Sequence, residues 1–303
     1  MISIIICSRN QTITQALFNN IKETVGIPHE LIIIDNSKNQ YSSLASAYNE
    51  GVRKSQNDIL CFMHDDIVYH TKGWGETVLS HFREKKVGMI GVAGTRYLSD
   101  IPSIWWAGGH KYMNSPNGTL CLNSIDTNRD NIKESVYNFV NPEKSVATRV
   151  TILDGLWFCV KKEMFDSVCF DDHYYDGFHF YDLDLSMQIN TLGFELRSIF
   201  DITLEHVSAS KHDRKWIENC FKFYKKWHSD LPISSCKLPL KQKIIIDYES
   251  LRVLYDIHKL NNVPFLIFSN ATIGIYPKII FLYTFYLLSK FEEVLNSRLF
   301  PAQ

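Results

Sequence analysis

The sequence predicts an α/β fold, a mainly parallel sheet flanked by helices, followed by a C-terminal helical extension. Three observations predict it. Short apolar, β-rich runs occur at residues 2–7, 31–34, 58–63 and 87–93. Helical periodicity fills the gaps at 15–24 and 45–54, and the chain changes character after about residue 231. Short apolar strands interleaved with helices bury both faces of a sheet, which parallel strands require.

The opening run, residues 2–7, leads directly into Ser8-Arg9-Asn10 without a basic flank or a small-residue cleavage site, so it is expected to be a first strand and not a signal peptide. A helix at 15–24 and a second strand ending at Asp35 complete a βαβ opening. Residues 45–54 give the next helix, 58–63 the third strand and 87–93 a fourth containing Gly88 and Gly91. From 95 to 147 the pattern dissolves into a stretch rich in Gly, Asn, Ser and Asp that holds Trp105 and Trp106. An irregular insertion of that length is usually functional or mobile. Regularity returns at 150–160 and 162–165. An aromatic and acidic segment at 171–185 follows, then a helix at 185–192 ended by Gly193, then a strand at 195–206.

Residues 238–260 suit one or two helices with polar faces, and 263–288 are strongly apolar and aromatic. The expected division is therefore 1–235 and 236–303, with the boundary between Pro232 and Pro239. The densest apolar run, 279–288, is about half the roughly 20 residues that span a bilayer, and Pro264, Asn270, Pro277 and Lys278 interrupt its upstream extension. It is expected to pack on its own domain or on a second subunit, or to lie on a membrane surface.

Lys and Arg (32) balance Asp and Glu (33), so no global field draws the chain to nucleic acid. The seven cysteines, several in apolar contexts such as Cys7, Cys61 and Cys159, form no CxxC pair and suit reduced core residues of a cytoplasmic protein.

Three segments carry chemistry. The apolar run ending in His64-Asp65-Asp66 delivers two acids to the edge of an α/β sheet, where ligands bind and where Mg²⁺ or Mn²⁺ carrying a phosphorylated substrate seeks carboxylate oxygens. An isolated Asp-Asp pair also suits a turn cap. Asp182 and Asp184 stand two apart before a helix. Capping suits Asp184 better, whereas Asp182, hemmed in by Phe180 and Tyr181, is expected to have a raised proton affinity and to serve as a general base. His206 closes an apolar strand; it is a structural residue or a ligand for a Mn²⁺ held by Asp66 and phosphate oxygens. Lys211 and Arg214 follow on a loop able to approach a leaving diphosphate.

Taken in order, Ser8-Arg9, Ile34-Asp35-Asn36-Ser37, Ala47-Tyr48-Asn49-Glu50-Gly51 and His64-Asp65-Asp66 resemble the nucleotide-sugar half of a GT-A glycosyltransferase, most closely the inverting glycosyltransferase family 2. Asp154-Gly155 and His179-Phe180-Tyr181-Asp182-Leu183-Asp184-Leu185 resemble the acceptor half, and the similarity covers about residues 2–210. The resemblance implies that Asp35 contacts the nucleotide base, with Ser8 and Arg9 nearby, and that Asp65 contacts the ribose or sugar. It also implies that Asp66 is a metal ligand, that Asp182 is the catalytic base, and that His206 is a later metal or diphosphate contact. Lys211 joins the donor side. Asp154, Asp184, Trp105 and Trp106 join the acceptor side, the two tryptophans beside Gly108-Gly109 as a lid. Trp157 suits an acceptor contact or the core. Two positions depart from the family: His64 stands where an acid is usual, leaving fewer carboxylates for the cation, and Tyr181 replaces the Glu before the base.

The resemblance implies an inverting, metal-dependent glycosyltransferase of hexosyl type. It would use Mn²⁺ or Mg²⁺ to move a sugar from a nucleotide-diphosphate donor to an acceptor hydroxyl, in surface polysaccharide or glycan assembly. The implied acceptor is a saccharide or lipid-linked saccharide, and the implied location is cytoplasmic, peripheral on the inner membrane face, with membrane or self-association through the C-terminal region. Two alternatives stay open. A nucleotidyltransferase would want a Gly-rich phosphate loop, which Ser8 to Gln15 lacks, and a non-catalytic scaffold on this fold would have lost the acids, which Asp35, Asp66 and Asp182 retain. A dinucleotide oxidoreductase fails, because Gly88, Gly91 and Gly94 have the wrong spacing.

Overall fold

Alternation of side chains along the first strands decides which helices cover which face of the sheet. The computed structural model describes residues 1–128, 134–208, 212–261, 281, 282 and 284. Its first strand, β1 (Ile2–Ser8), sends Ile2, Ile4 and Ile6 into one core and Ile5 into another. The chain continues through α1 (Gln15–Thr24), β2 (His29–Asp35), α2 (Leu44–Lys54) and β3 (Ile59–Met63), close to the limits the periodicity predicts. Thr14 caps α1, and Ser43 with Ser46 forms a capping box on α2. In β3, Cys61 and Met63 join the first core, with Leu17, Ile21, Trp74 and Val78; Leu60 and Phe62 join the second, with Ala47, Tyr48, Leu185 and Ile189.

Next come β4 (Ile67–Tyr69), α3 (Trp74–His81), β5 (Val87–Gly91), β6 (Ala93–Thr95) and β7 (Tyr97–Leu98). The region expected to be irregular holds β8 (Leu120–Asn128) and β9 (Ser135–Val140), a correction to the sequence expectation. The reason is physical: β8 buries Asn123 and Thr127, which form hydrogen bonds to Ile202 O (2.7 Å) and Glu205 Oε1 (2.6 Å), so the strand lacks an apolar alternation. Then follow β10 (Ala147–Val150), β11 (Ile152–Leu153), β12 (Trp157–Lys161), α4 (Tyr181–Thr191), β13 (Glu195–Ile199), β14 (Leu204–Ser208), α5 (Arg214–Lys226), β15 (Ile233–Ser234) and α6 (Leu240–Leu260).

The main sheet has the order β10-β13-β5-β12-β3-β1-β2. Strands β2, β1, β3, β5 and β13 run in one direction, and β12 and β10 run against them. A second sheet, β11-β6-β8-β14-β4 with β9 on β8, lies at the end of the first where β3 and β5 pass into β4 and β6. Helix α4 begins at Tyr181, four residues before its expected start, because Phe180 takes a left-handed conformation (φ 68°) and ends the preceding loop without a side-chain cap. Asp182 and Asp184 thus lie inside the first turn, and neither is the cap.

Helix α6 is one helix, and its Leu251, Leu254 and Ile257 share a core with Ile101, Ile104, Trp216 and Phe223. Asp247 accepts a hydrogen bond from Ser99 Oγ (2.5 Å), and Glu249 is paired with Lys111 (2.6 Å). No helix among the described residues is long and apolar enough to cross a membrane. The apolar run at 279–288 lies, apart from Phe281, Leu282 and Thr284, outside the described residues. Among the described cysteines none forms a disulfide.

Candidate active site

Strand β3 is buried throughout, and the chain leaves it at His64, whose backbone N–H donates to Leu156 O (3.1 Å). Beyond that point consecutive side chains part. Asp65 turns towards β1 and accepts a hydrogen bond from Ser8 Oγ (2.7 Å), whereas His64 and Asp66 face His206. His206 arrives because β14 pairs antiparallel with β4, setting it opposite Ile67, while Val207 N–H donates to Asp66 O (3.0 Å). His206 Nε2 stands 3.2 Å from His64 Nδ1 and 3.4 Å from Asp66 Oδ1. One ligand-type atom from each of these three residues lies within 4.8 Å of the others. Burial and the neighbouring His206 hold His64 below the ordinary imidazole range. Burial works in the same direction on His206, but the hydrogen bond and charge of Asp66 outweigh it and raise its affinity for a proton.

Two imidazole nitrogens and one carboxylate oxygen make a chemically sound donor set for a divalent first-row cation, with positions left for diphosphate oxygens. The residues present therefore fit a metal. His64, which the sequence presents as a missing acid, supplies a ligand-type atom here; its i, i+2 spacing from Asp66 was the available signal.

Of the residues expected on the donor side, Ser8, Arg9 and Asp35 lie at or just past the ends of β1 and β2. Ser8 pairs in register with Asp35, and Asn36 N–H donates to Ser8 O (2.8 Å). Asp35 accepts from Ser37 N–H (2.8 Å), and the Ser37 hydroxyl first and this backbone bond second lower its proton affinity. The Arg9 guanidinium lies over the ring of Phe178, 4.7 Å from its centroid. Lys211 lies outside the described residues. Arg214 is paired with Glu218 (3.0 Å) on α5.

The first turn of α4 forms the opposite wall. Asp182 is 8% exposed, and its Oδ2 accepts the Gly155 N–H at 2.7 Å. Burial first, and the charge of Asp154 second, push the Asp182 carboxyl up to about 7 against the lowering effect of backbone N–H groups. Asp154 Oδ2 accepts the indole N–H of Trp105 (2.8 Å) and its Oδ1 accepts Leu156 N–H (2.9 Å), so Trp105 is tied to the wall that carries Asp182. Trp106 is exposed on the same loop. Tyr181 OH donates to Gly155 O (3.1 Å) and lies 3.3 Å from His64 Nε2, linking the two halves of the site.

Of the acceptor-side expectations Asp184 lands elsewhere, and Trp157 takes the core place that its sequence left open. Asp184 is fully buried; Tyr175, Trp227, Gln188 and Lys226 all donate to it, at 2.7 to 3.1 Å, which leaves no lone pair for a substrate. Trp157 is a core residue, 0% exposed, bonded to Tyr69 OH (2.7 Å).

A mainly parallel sheet with Ser8 at the end of its first strand and acids at or just past the ends of the second and third, facing a carboxylate at a helix start, has the arrangement of a glycosyltransferase of the GT-A class. A family model described as "Glycosyltransferase like family" matches residues 3–216, and the chain belongs to that family. No curated protein matches the sequence. Among solved structures the chain is similar to GalNAc-T7 with UDP, GalNAc and Mn²⁺, at 10% identity and TM-score 0.46, over 69% of this chain and 44% of that one. The chain thus spans less than half the length of that protein. It is also similar to the mannosyltransferase PcManGT from Pyrobaculum calidifontis in complex with GDP-Man and Mn²⁺, at 12% identity and TM-score 0.48, over 93% of this chain and 83% of that one.

Proposed function

We propose that the protein is an inverting glycosyltransferase that moves a hexosyl group from a nucleoside-diphosphate sugar to an acceptor hydroxyl. The observation that carries this reading is the meeting, in one hydrogen-bonded wall, of a desolvated carboxylate at Asp182 with the His64, Asp66 and His206 cluster.

His64, Asp66 and His206 would hold the cation, Mn²⁺ in preference to Mg²⁺ on the chemistry of two imidazoles. When bound, the cation offsets the charge that develops on the departing diphosphate. Asp35 and Arg9 bind the nucleotide, Ser8 holds Asp65 towards the ribose or sugar, and Lys211 contacts the diphosphate. Asp182 takes the proton from the acceptor hydroxyl as it attacks the anomeric carbon from the face opposite the leaving group. A carboxyl poised near neutrality suits that role, because it is ionised at working pH and still basic. The Gly155 N–H aims the carboxylate. Trp105, anchored on Asp154, and the exposed Trp106 offer aromatic faces to the acceptor sugar. We assign the transferase chemistry to residues 1–235, on whose core α6 packs, and a docking role, on a membrane or a second copy, to the rest of residues 236–303. A cytoplasmic setting, and glycan assembly on a saccharide or lipid-linked saccharide, are part of the same proposal.

The test is release of nucleoside diphosphate from a panel of sugar nucleotides with Mn²⁺. One donor class should be turned over. Asp182→Asn should retain donor binding and lose nearly all turnover, since an amide cannot accept the proton; unchanged turnover would remove Asp182 from the role.

A further inference from the structure

The two positions that depart from the family pattern, His64 and Tyr181, touch in the fold: the Tyr181 hydroxyl lies 3.3 Å from His64 Nε2. The shorter contact of the Tyr181 hydroxyl is to Gly155 O (3.1 Å), and with its proton given there the oxygen accepts towards His64. In that arrangement His64 carries its proton on Nε2. Its Nδ1 is then a bare lone pair, and it points at His206 Nε2 (3.2 Å), inside the cluster that includes Asp66.

The hydroxyl is held in place from several sides. Tyr181 is 3% exposed, and its ring packs edge-on against Tyr48 (5.5 Å) and beside Phe170 (6.2 Å). A side chain at Gly155 would collide with the Tyr181 ring and hydroxyl, so the glycine is what allows the ring to approach. A carboxylate at position 181 would also accept from His64, but it would add a second negative charge next to Asp182.

We propose that Tyr181 is a positioning residue that locks His64 in its Nε2–H tautomer, so that Nδ1 serves as a cation ligand with Asp66 and His206 and the site prefers Mn²⁺-like cations to Mg²⁺. The inference rests on the metal reading given under the proposed function. An outer partner that fixes a ligand's tautomer typically contributes 10–100-fold in metal affinity. The two departures from the family are then one paired adaptation: the histidine replaces an acid ligand, and the tyrosine makes the histidine usable.

The test uses the full-length protein. Long-range ¹H–¹⁵N spectra report the His64 tautomer, with His64→Ala for assignment, and Mn²⁺ binding is followed by the loss of the free-ion signal in electron paramagnetic resonance, with Mg²⁺ as competitor. The wild type should show the Nε2–H tautomer and bind Mn²⁺ more tightly than Mg²⁺. Tyr181→Phe should give mixed tautomers and lose about 10–100-fold in Mn²⁺ affinity. On a His64→Asp background, which has no imidazole to orient, the same change should cost nothing, and preference should move towards Mg²⁺. An equal loss on both backgrounds would mean that Tyr181 is merely structural, and unchanged binding and tautomer in Tyr181→Phe would overturn the proposal while leaving the metal site standing. A wild type that binds no divalent cation, with Asp66→Ala indistinguishable from it, would instead remove the metal reading itself.

Discussion

The backbone N–H of Gly155 donates to Asp182 Oδ2 across 2.7 Å, and a side chain at 155 would run into both Asp182 and Tyr181. One backbone group thus fixes the direction of the proposed base. Gly155→Ala should displace both side chains. Turnover should fall by about 100-fold, as expected for a misplacement of order 1 Å, with a smaller change in donor affinity. Donor hydrolysis and calorimetric binding, measured on the same preparation, separate the two effects.

The Asp182 carboxyl, raised from 3.8 to about 7, gives turnover and stability opposite pH dependences. Turnover should climb as pH rises through about 7, because the base must be ionised. Stability should move the other way. Below about 4 the carboxyl is protonated in both folded and unfolded chains. Between about 4 and 7 only the folded chain keeps the proton, so the stability held in the neutral form is lost as pH rises to 7. Asp182→Asn removes this dependence and should be more stable than the wild type at pH 8, by on the order of 1–4 kcal/mol, and no more stable at pH 4. Thermal melts at both pH values read the difference.

Asp184 predicts the contrary behaviour. Its oxygens are held by Tyr175, Gln188, Lys226 and Trp227, and Asp184→Ala leaves those donors, one of them charged, facing a buried gap. Stability should drop by about 3–5 kcal/mol. Urea titration measures it, and donor binding by the folded fraction should be unchanged.

Helix α6 should behave as part of the transferase core. Truncation after Ser235 removes Leu251 and Leu254 from a shared core and strips Ser99 and Lys111 of their partners Asp247 and Glu249. That chain should melt well below the wild type or fail to fold. Truncation after Asn261 should fold and bind donor, and vesicle sedimentation of that shorter chain then tests the membrane role of the remainder: undiminished partitioning would place membrane contact elsewhere.

The order of strands and acids was readable because each apolar run ends at or just before its candidate site residue: β1 at Ser8, β2 at Asp35, β3 just before His64 to Asp66. Three features were not readable. Strand β8 hides behind buried, hydrogen-bonded polar residues, so no apolar alternation marks it. The start of α4 carries no cap signal, since Phe180 reaches its left-handed conformation while packed against Trp216 and Phe223. The third case is His64, which looks like a lost acid in sequence; its place beside His206 depends on the pairing of β14 with β4, a contact 142 residues apart.

Calorimetric titration of the full-length protein with a panel of nucleoside-diphosphate sugars, in Mn²⁺ and then with chelator, tests the central claim most directly when run beside Asp66→Ala. The account predicts saturable binding of one nucleotide class that weakens on chelation and in the variant. Absence of binding to every donor, with Mn²⁺ present and the protein folded, would contradict it.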